Sequence, residues 1–144
     1  MSLDRQLNHF LVGLYQDIMD VEERALITDR FSDISINDMH IIEAIGIAEP
    51  KPSSQVSKAL GITMGTLTKA VDALTRKGYV RRERSEEDKR VVLLSLYEKG
   101  RIAYEHHAKF HEDMVQAVIA QLDPEESAVL EKTLSSLQDY FKSE

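Results

Sequence analysis

The chain has 144 residues, enough for one ordinary domain with a real core and too few for two independent ones. Hydrophobic residues make up 42% and charged residues 30%, a globular balance that excludes fibrous and disordered classes. Cysteine is absent, which excludes disulfides, thiolate metal sites, cysteine nucleophiles and redox sensing through a thiol. No apolar run approaches the ~20 residues of a membrane span, and no basic-then-apolar secretory start is seen, so a cytoplasmic protein is expected.

The net charge of -7 argues against a phosphate-rich partner until its distribution is read. Between positions 51 and 90 stand ten Lys/Arg (Lys51, Lys58, Lys69, Arg76, Lys77, Arg81, Arg82, Arg84, Lys89, Arg90) against five Asp/Glu, a local +5. The other 104 residues carry 8 basic and 20 acidic side chains, or -12. A basic block in an acidic chain can engage an anion at one face and repel it elsewhere, although charge runs are also simply solvated surface.

Taken in chain order, Leu7, Phe10, Leu11, Leu14, Ile18, Val21 and Ala25 recur at spacings of three and four, which predicts one amphipathic helix from Leu3 to about Arg30. A second helix starts near Ser35, capped by its hydroxyl with Asp38 at the third position, and gives way at Pro50 and Pro52. Ser53 to Gly78 reads as two helices broken at Gly61, and Tyr79–Arg84 and Val91–Leu96 read as two strands around a charged loop. Tyr97 to Leu122 is a long helix. Asp123-Pro124-Glu125-Glu126 then opens a last helix, with Asp as cap, Pro in the first position and acids on the positive end of the dipole. The order is four helices, a two-stranded hairpin and two helices, without an internal repeat. The apolar stripes of the two ends exceed what the small middle can cover, so a two-fold dimer through the terminal helices is expected, with packing inside one chain as the alternative.

The stretch from Ser53 to Leu96 carries the chemistry. Val56, Ala59 and Leu60 are the expected inner face of a short helix, Gly61 ends it, Ile62 plugs the turn and Thr63 caps the next helix. On that next helix Met64, Leu67, Ala70, Val71 and Leu74 fall on one side, and Gly65, Thr68, Lys69, Asp72 and Arg76 on the other. The second side suits a major-groove reader: small residues near its start permit close approach, and hydroxyls and cations can meet bases or phosphates. The hairpin adds Arg81, Arg82, Arg84, Lys89 and Arg90 on and beside the loop, with Arg90 as the candidate for the minor groove. Asp88, two residues earlier, can orient the Arg90 fork, or the two can be a plain surface ion pair of little worth. The candidate DNA contacts are Ser53, Gly65, Thr66, Thr68, Lys69, Asp72, Arg76, Arg84, Asp88, Lys89 and Arg90.

This helix-turn-helix followed by Asp88-Lys89-Arg90, with Leu96 and Lys99-Gly100 beyond, resembles the MarR family of bacterial regulators over essentially the whole chain. The resemblance implies a winged helix-turn-helix, mainly α with a small β-hairpin wing (α+β), as a single domain over 1–144. Residues 35–96 would form the DNA-binding lobe, and 1–34 with 97–144 the dimerisation helices. It also implies a homodimer on a pseudo-palindromic operator in double-stranded DNA, with no membrane and no catalysis. One departure is Tyr97, where the family usually has a Thr cap, so Ser95 or another cap must serve. Within the family, FSDISINDMHIIEAIG, SQVSKALGITMGTLTKAVDALTRKGYVRRERSEEDKRVVLLSL and KFHEDMV resemble the repressors of fatty-acid synthesis genes of low-GC Gram-positive bacteria. That implies acylated acyl carrier protein as corepressor, no cofactor, and an acyl pocket between the DNA-binding lobe and the dimerisation helices. A regulator of stress or drug-efflux genes that senses a small aromatic ligand is a further option.

His40, His107 and His111 are the rival signal. His107 and His111 lie four apart, on one helix face, where two imidazoles can bind zinc. Zinc-sensing members of the same family place metal-binding histidines at matching positions, and Glu22 or Glu23 could complete four ligands. Hydrogen-bonded histidines without a metal are the alternative. For an enzyme, His107-Ala108-Lys109-Phe110-His111 lacks the Glu of a metalloprotease helix, and neither a Gly-rich phosphate loop nor a G-x-S-x-G elbow occurs.

Overall fold

The computed structural model describes residues 1–26 and 30–144. The elements run α1 (Leu3–Leu26), α2 (Ile36–Ile45), β1 (Lys51–Pro52), α3 (Ser53–Leu60), α4 (Met64–Arg76), β2 (Val80–Arg84), β3 (Val92–Leu96), α5 (Glu98–Ile119) and α6 (Pro124–Ser143). Of the expected extension of α1 to Arg30, positions 27–29 lie outside the described residues, and Arg30 is in a turn. By backbone contacts the chain divides into one unit over Met1–Ala108 and a second over Lys109–Glu144.

In the first unit, α2 begins where the sequence places it. The Ser35 hydroxyl accepts the Asp38 amide and Asp38 returns the bond to the Ser35 amide, a complete capping box. The helix stops at Ile45, ahead of the prolines, because Gly46 leaves the helical path at φ 72°. Two of those loop residues, Lys51 and Pro52, then add a third strand to the expected hairpin, so the sheet order is β1-β3-β2, all antiparallel. A two-residue edge strand containing Pro has too little alternation to announce itself in a sequence.

The core lies between α2, α3, α4 and the sheet. Met39, Ile42, Ile45, Val56, Leu67, Val71, Leu74, Tyr79, Val80 and Leu94 are fully buried there. Two expected inward residues differ: Ala59 and Met64 are exposed, Met64 because it opens α4 one turn ahead of the packed stripe. Gly61 ends α3 in the left-handed region at φ 66°, which glycine adopts without strain. Thr63 caps α4 by accepting the Thr66 amide at 3.1 Å.

Before α5, Ser95 lies inside β3 opposite Arg81, and the Tyr97 carbonyl accepts the Arg101 amide, so Ser95 is not the cap. Gly100 is buried because α5 crosses the start of β2 so closely that a Cβ here would stand 2.2 Å from the Tyr79 carbonyl oxygen.

The second unit holds the end of α5 and α6. Asp123 caps α6 with a full capping box to Glu126, with Pro124 in the first turn. No residue of α6 is buried, and Val129, Leu134, Tyr140 and Phe141 are exposed. At the other end of the chain, Leu3, Leu7, Phe10, Leu11 and Tyr15 of α1 are exposed too.

Candidate nucleic-acid interface and the histidine cluster

The outer face of α4 is built as its spacing predicts. Gly65, Thr66, Thr68, Lys69 and Arg76 are exposed, and a Cβ at Gly65 would meet open space. Asp72, half-buried on that face, is ion-paired to Arg82 of β2, which is not among the candidate contacts above. The pair ties the wing to the recognition helix. Beside it a small cleft of about 100 Å³ is lined by Ser53, Met64, Thr68, Arg82 and the apolar side chains beneath them.

At the wing tip, Asp88 accepts the Arg90 amide at 3.0 Å and the guanidinium Nε and Nη2 at 3.1 Å each, a fork held by both carboxylate oxygens. The Arg90 side chain is nonetheless 90% exposed, so the fork is aimed and accessible together. This hydrogen bond holds the Asp88 carboxyl below the usual carboxylate range and raises the already high Arg90. Arg84 donates to the Lys89 carbonyl at 2.9 Å, closing the loop across its base, and Lys89 itself is exposed. The expected contacts therefore share one unit and lie at the start of α3, along α4 and on the wing, with Asp72, Arg84 and Asp88 engaged within the protein.

Behind this head lies a cluster that the sequence shows in part. Glu22 is a charged residue only 4% exposed. The His40 Nε2 stands 3.0 Å from its Oε2, and the His107 Nε2 stands 3.9 Å from its Oε1 and 2.7 Å from Glu43 Oε2. The two imidazoles are 6.0 Å apart between ring centres. Of the two carboxylates offered by the sequence, Glu22 faces inward and Glu23 is exposed. Glu43 was missed, since one more Glu on an acidic chain carries no signal until α2 is packed. His111 follows one turn beyond His107 on α5. His40 also lines a cavity of about 400 Å³ whose walls include Tyr15 of α1, Ile41 of α2, Ile62 of the turn, and Thr66 and Ala70 of α4.

A Gly-broken helix pair carrying an exposed basic helix, followed by a three-stranded sheet with an arginine-tipped loop, defines a winged helix-turn-helix DNA-binding regulator. Residues 32–91 match the MarR family. The chain is 42% identical to Streptococcus pneumoniae FabT, solved in complex with DNA, with a TM-score of 0.88 covering 96% of this chain and 97% of that one. It is 28% identical to the zinc-responsive regulator ZitR of Lactococcus lactis, over 97% of this chain and 99% of that structure, with a TM-score of 0.71. It is 30% identical to the Escherichia coli multiple antibiotic resistance protein MarR, over 73% of this chain and 74% of that one. The protein belongs to the MarR family of transcriptional regulators and is not an enzyme. No helix among the described residues is long and apolar enough to cross a membrane.

Proposed function

We propose that the protein is a cytoplasmic homodimeric repressor of fatty-acid synthesis genes whose grip on a pseudo-palindromic operator is strengthened by a long acyl chain on acyl carrier protein. The observation that carries this reading is the 42% identity, over nearly the whole of both chains, to FabT in complex with DNA. The exposed apolar residues of α1 and α6 support the dimer, since apolar surface of this extent marks an interaction site. Residues 1–34 and 97–144 form its dimer body and 35–96 its reading lobe. Two recognition helices then enter successive major grooves about one helical turn apart. Ser53, Gly65, Thr66, Thr68, Lys69, Arg76 and Lys89 meet bases and phosphates, Arg90 enters the flanking minor groove, and Asp72, Arg84 and Asp88 hold the surface in shape. The cavity beside His40 touches both α1 and α4, so an acyl chain in it would favour one placement of the reading helix. An effector shifts repression only by such a difference in affinity.

The test is a gel shift on a fatty-acid gene promoter with and without acylated acyl carrier protein. The acylated carrier is expected to tighten the complex and the unacylated carrier to leave it unchanged; equal effects of the two remove the corepressor. On the same promoter, Lys69→Ala is expected to weaken binding on all sequences alike and to reduce the slope of log affinity against log salt by about one. An unaltered slope takes Lys69 off the phosphates.

A second reading rests on the histidine cluster. Zinc takes four N or O ligands at about 2.0–2.2 Å, which places neighbouring ligand atoms roughly 3.3 Å apart. The His40 and His107 nitrogens stand 3.0 and 3.9 Å from the Glu22 oxygens and their rings are 6.0 Å apart between centres, so the donor types suit zinc, and holding an ion would need the two rings to close on it and Glu43 to release His107. The candidate ligands within the first unit are Glu22, His40 and His107. Zinc would then neutralise a buried carboxylate and hold α1, α2 and α5 together. On this reading, zinc shifts operator affinity in the wild type, and His40→Ala and His107→Ala abolish both that shift and calorimetric zinc binding. Equal zinc binding by all three proteins excludes the site.

A further inference from the structure

Six contacts converge where the DNA-reading lobe meets the start of α5. The Tyr79 hydroxyl donates to Asp33 Oδ1 at 2.6 Å, and Lys99 Nζ stands 3.6 Å from the other oxygen of that carboxylate. Lys99 also donates to the Lys77 carbonyl at 3.1 Å and lies 4.5 Å from the centre of the Tyr79 ring. Lys77 Nζ donates back to the Asp33 carbonyl, and the Tyr97 amide donates to the Tyr79 carbonyl at 3.0 Å. Tyr79 is fully buried, and burial together with its bond to Asp33 pushes its hydroxyl far above the ordinary phenol range. The same bond, with Lys99 beside it, holds Asp33 below the usual carboxylate range.

The position of these residues gives the cluster its meaning. Lys77 follows the last residue of α4, Tyr79 precedes β2, Lys99 is the second residue of α5, and Asp33 precedes α2. All but the Lys99–Asp33 pair join the end of the recognition helix or the start of its wing to residues before α2 or around the start of α5. The apolar core fills the interior of the lobe but contains little that fixes direction, because dispersion and hydrophobic contacts are non-directional. Hydrogen bonds prefer particular angles, and a buried tyrosine bonded to a charged acceptor allows little rotation.

We infer that the Asp33–Tyr79–Lys99 cluster sets the angle between α4 and the first turns of α5, and through it the separation of operator half-sites that the dimer accepts. Asp33, Tyr79 and Lys99 are positioning residues that touch no DNA. This inference rests on the proposed dimer, because a lone reading lobe has no spacing to measure. Loosening the cluster leaves each lobe able to read its half-site but lets the two lobes settle at more than one separation.

The experiment uses the full-length protein and duplexes built on the half-site recovered by selection from random-sequence DNA. Affinity is measured for a single half-site, for the preferred pair, and for pairs with one or two base pairs inserted. Tyr79→Phe keeps the buried ring and removes only the hydroxyl, Asp33→Ala removes the acceptor, Asp33→Asn restores it without charge, and Lys99→Met keeps the stem. In Tyr79→Phe and Asp33→Ala the penalty for one inserted base pair is expected to fall about three- to tenfold, the range one hydrogen bond allows. Single-half-site affinity is expected to stay within about twofold, and Asp33→Asn to recover part of the wild-type spacing preference. A loss of affinity equal at every spacing, single half-site included, overturns the inference and leaves the dimeric repressor standing. Should Tyr79→Phe melt early, Lys99→Met, altered only at the surface, decides by the same profile. A wild-type protein that sediments as a monomer, or shifts none of these duplexes, takes down the inference together with the reading beneath it.

Discussion

Arg90→Ala is expected to weaken operator binding about ten- to a hundredfold, the ~1–3 kcal/mol that one well-aimed guanidinium contact to DNA supplies, while leaving oligomeric state and melting temperature unchanged. Both halves follow from one geometry. The guanidinium is 90% exposed and its partner Asp88 is on the same loop, so the pair contributes little to folding. The fork nevertheless does not wander, because Asp88 holds both nitrogens and the Arg90 amide. If the wing tip meets DNA as proposed, binding need not order a free arginine, and that saved entropy would be part of the affinity. Asp88→Ala is expected to show a smaller loss in the same assay, since the charge survives and only its direction is lost. Band shifts and sedimentation of the three proteins side by side check both statements. Arg90→Ala binding as tightly as wild type removes the wing tip from the interface.

Legibility in the sequence followed the range of the interactions involved. The α4 face could be read because one helix carries both its packed stripe and its free side, and the Gly61 and Thr63 boundaries are local backbone chemistry. The Asp88–Arg90 fork spans two residues, and its alternative roles were already visible. Asp72 shows the limit of that reading. It lies on the predicted outer face, but its partner Arg82 is ten residues away on another element, and which cation it takes depends on how β2 packs. Glu22 and Glu43 come from α1 and α2 and meet His107 of α5 only after the core has formed. The histidine spacing pointed to this region, whereas the carboxylates between which it sits had no periodic mark of their own. Tyr79 read as the start of a strand, and the 46 residues separating it from Asp33 hid its role. β1 went unseen for a different reason: two residues are too short for a period of two to register.

The start of α5 yields the second large effect. Gly100→Ala is expected to lower the stability of the DNA-free protein by about 1–3 kcal/mol, the usual cost of forcing one extra methyl into a packed interface. The added carbon would stand 2.2 Å from the Tyr79 carbonyl oxygen and 3.2 Å from Leu96 Cδ2. The first of these neighbours is backbone, already committed to the Tyr97 amide, and cannot rotate aside as a flexible side chain would. Relief therefore requires α5 to lift from β2, which opens the Lys99 contacts with Tyr79 and Lys77 at the same time. Gly65→Ala provides the opposite case within the same molecule. It too lies in a helix, but a Cβ there meets nothing within 4 Å, so replacing glycine is expected to raise stability by about 0.5–1 kcal/mol through the unfolded chain's lost freedom. Urea midpoints of the two variants and the wild type test the pair, with Gly65→Ala above and Gly100→Ala below. Equal midpoints for the two would mean that α5 does not press on the strand at Tyr79, and the directional link between helix and reading lobe would lose its footing.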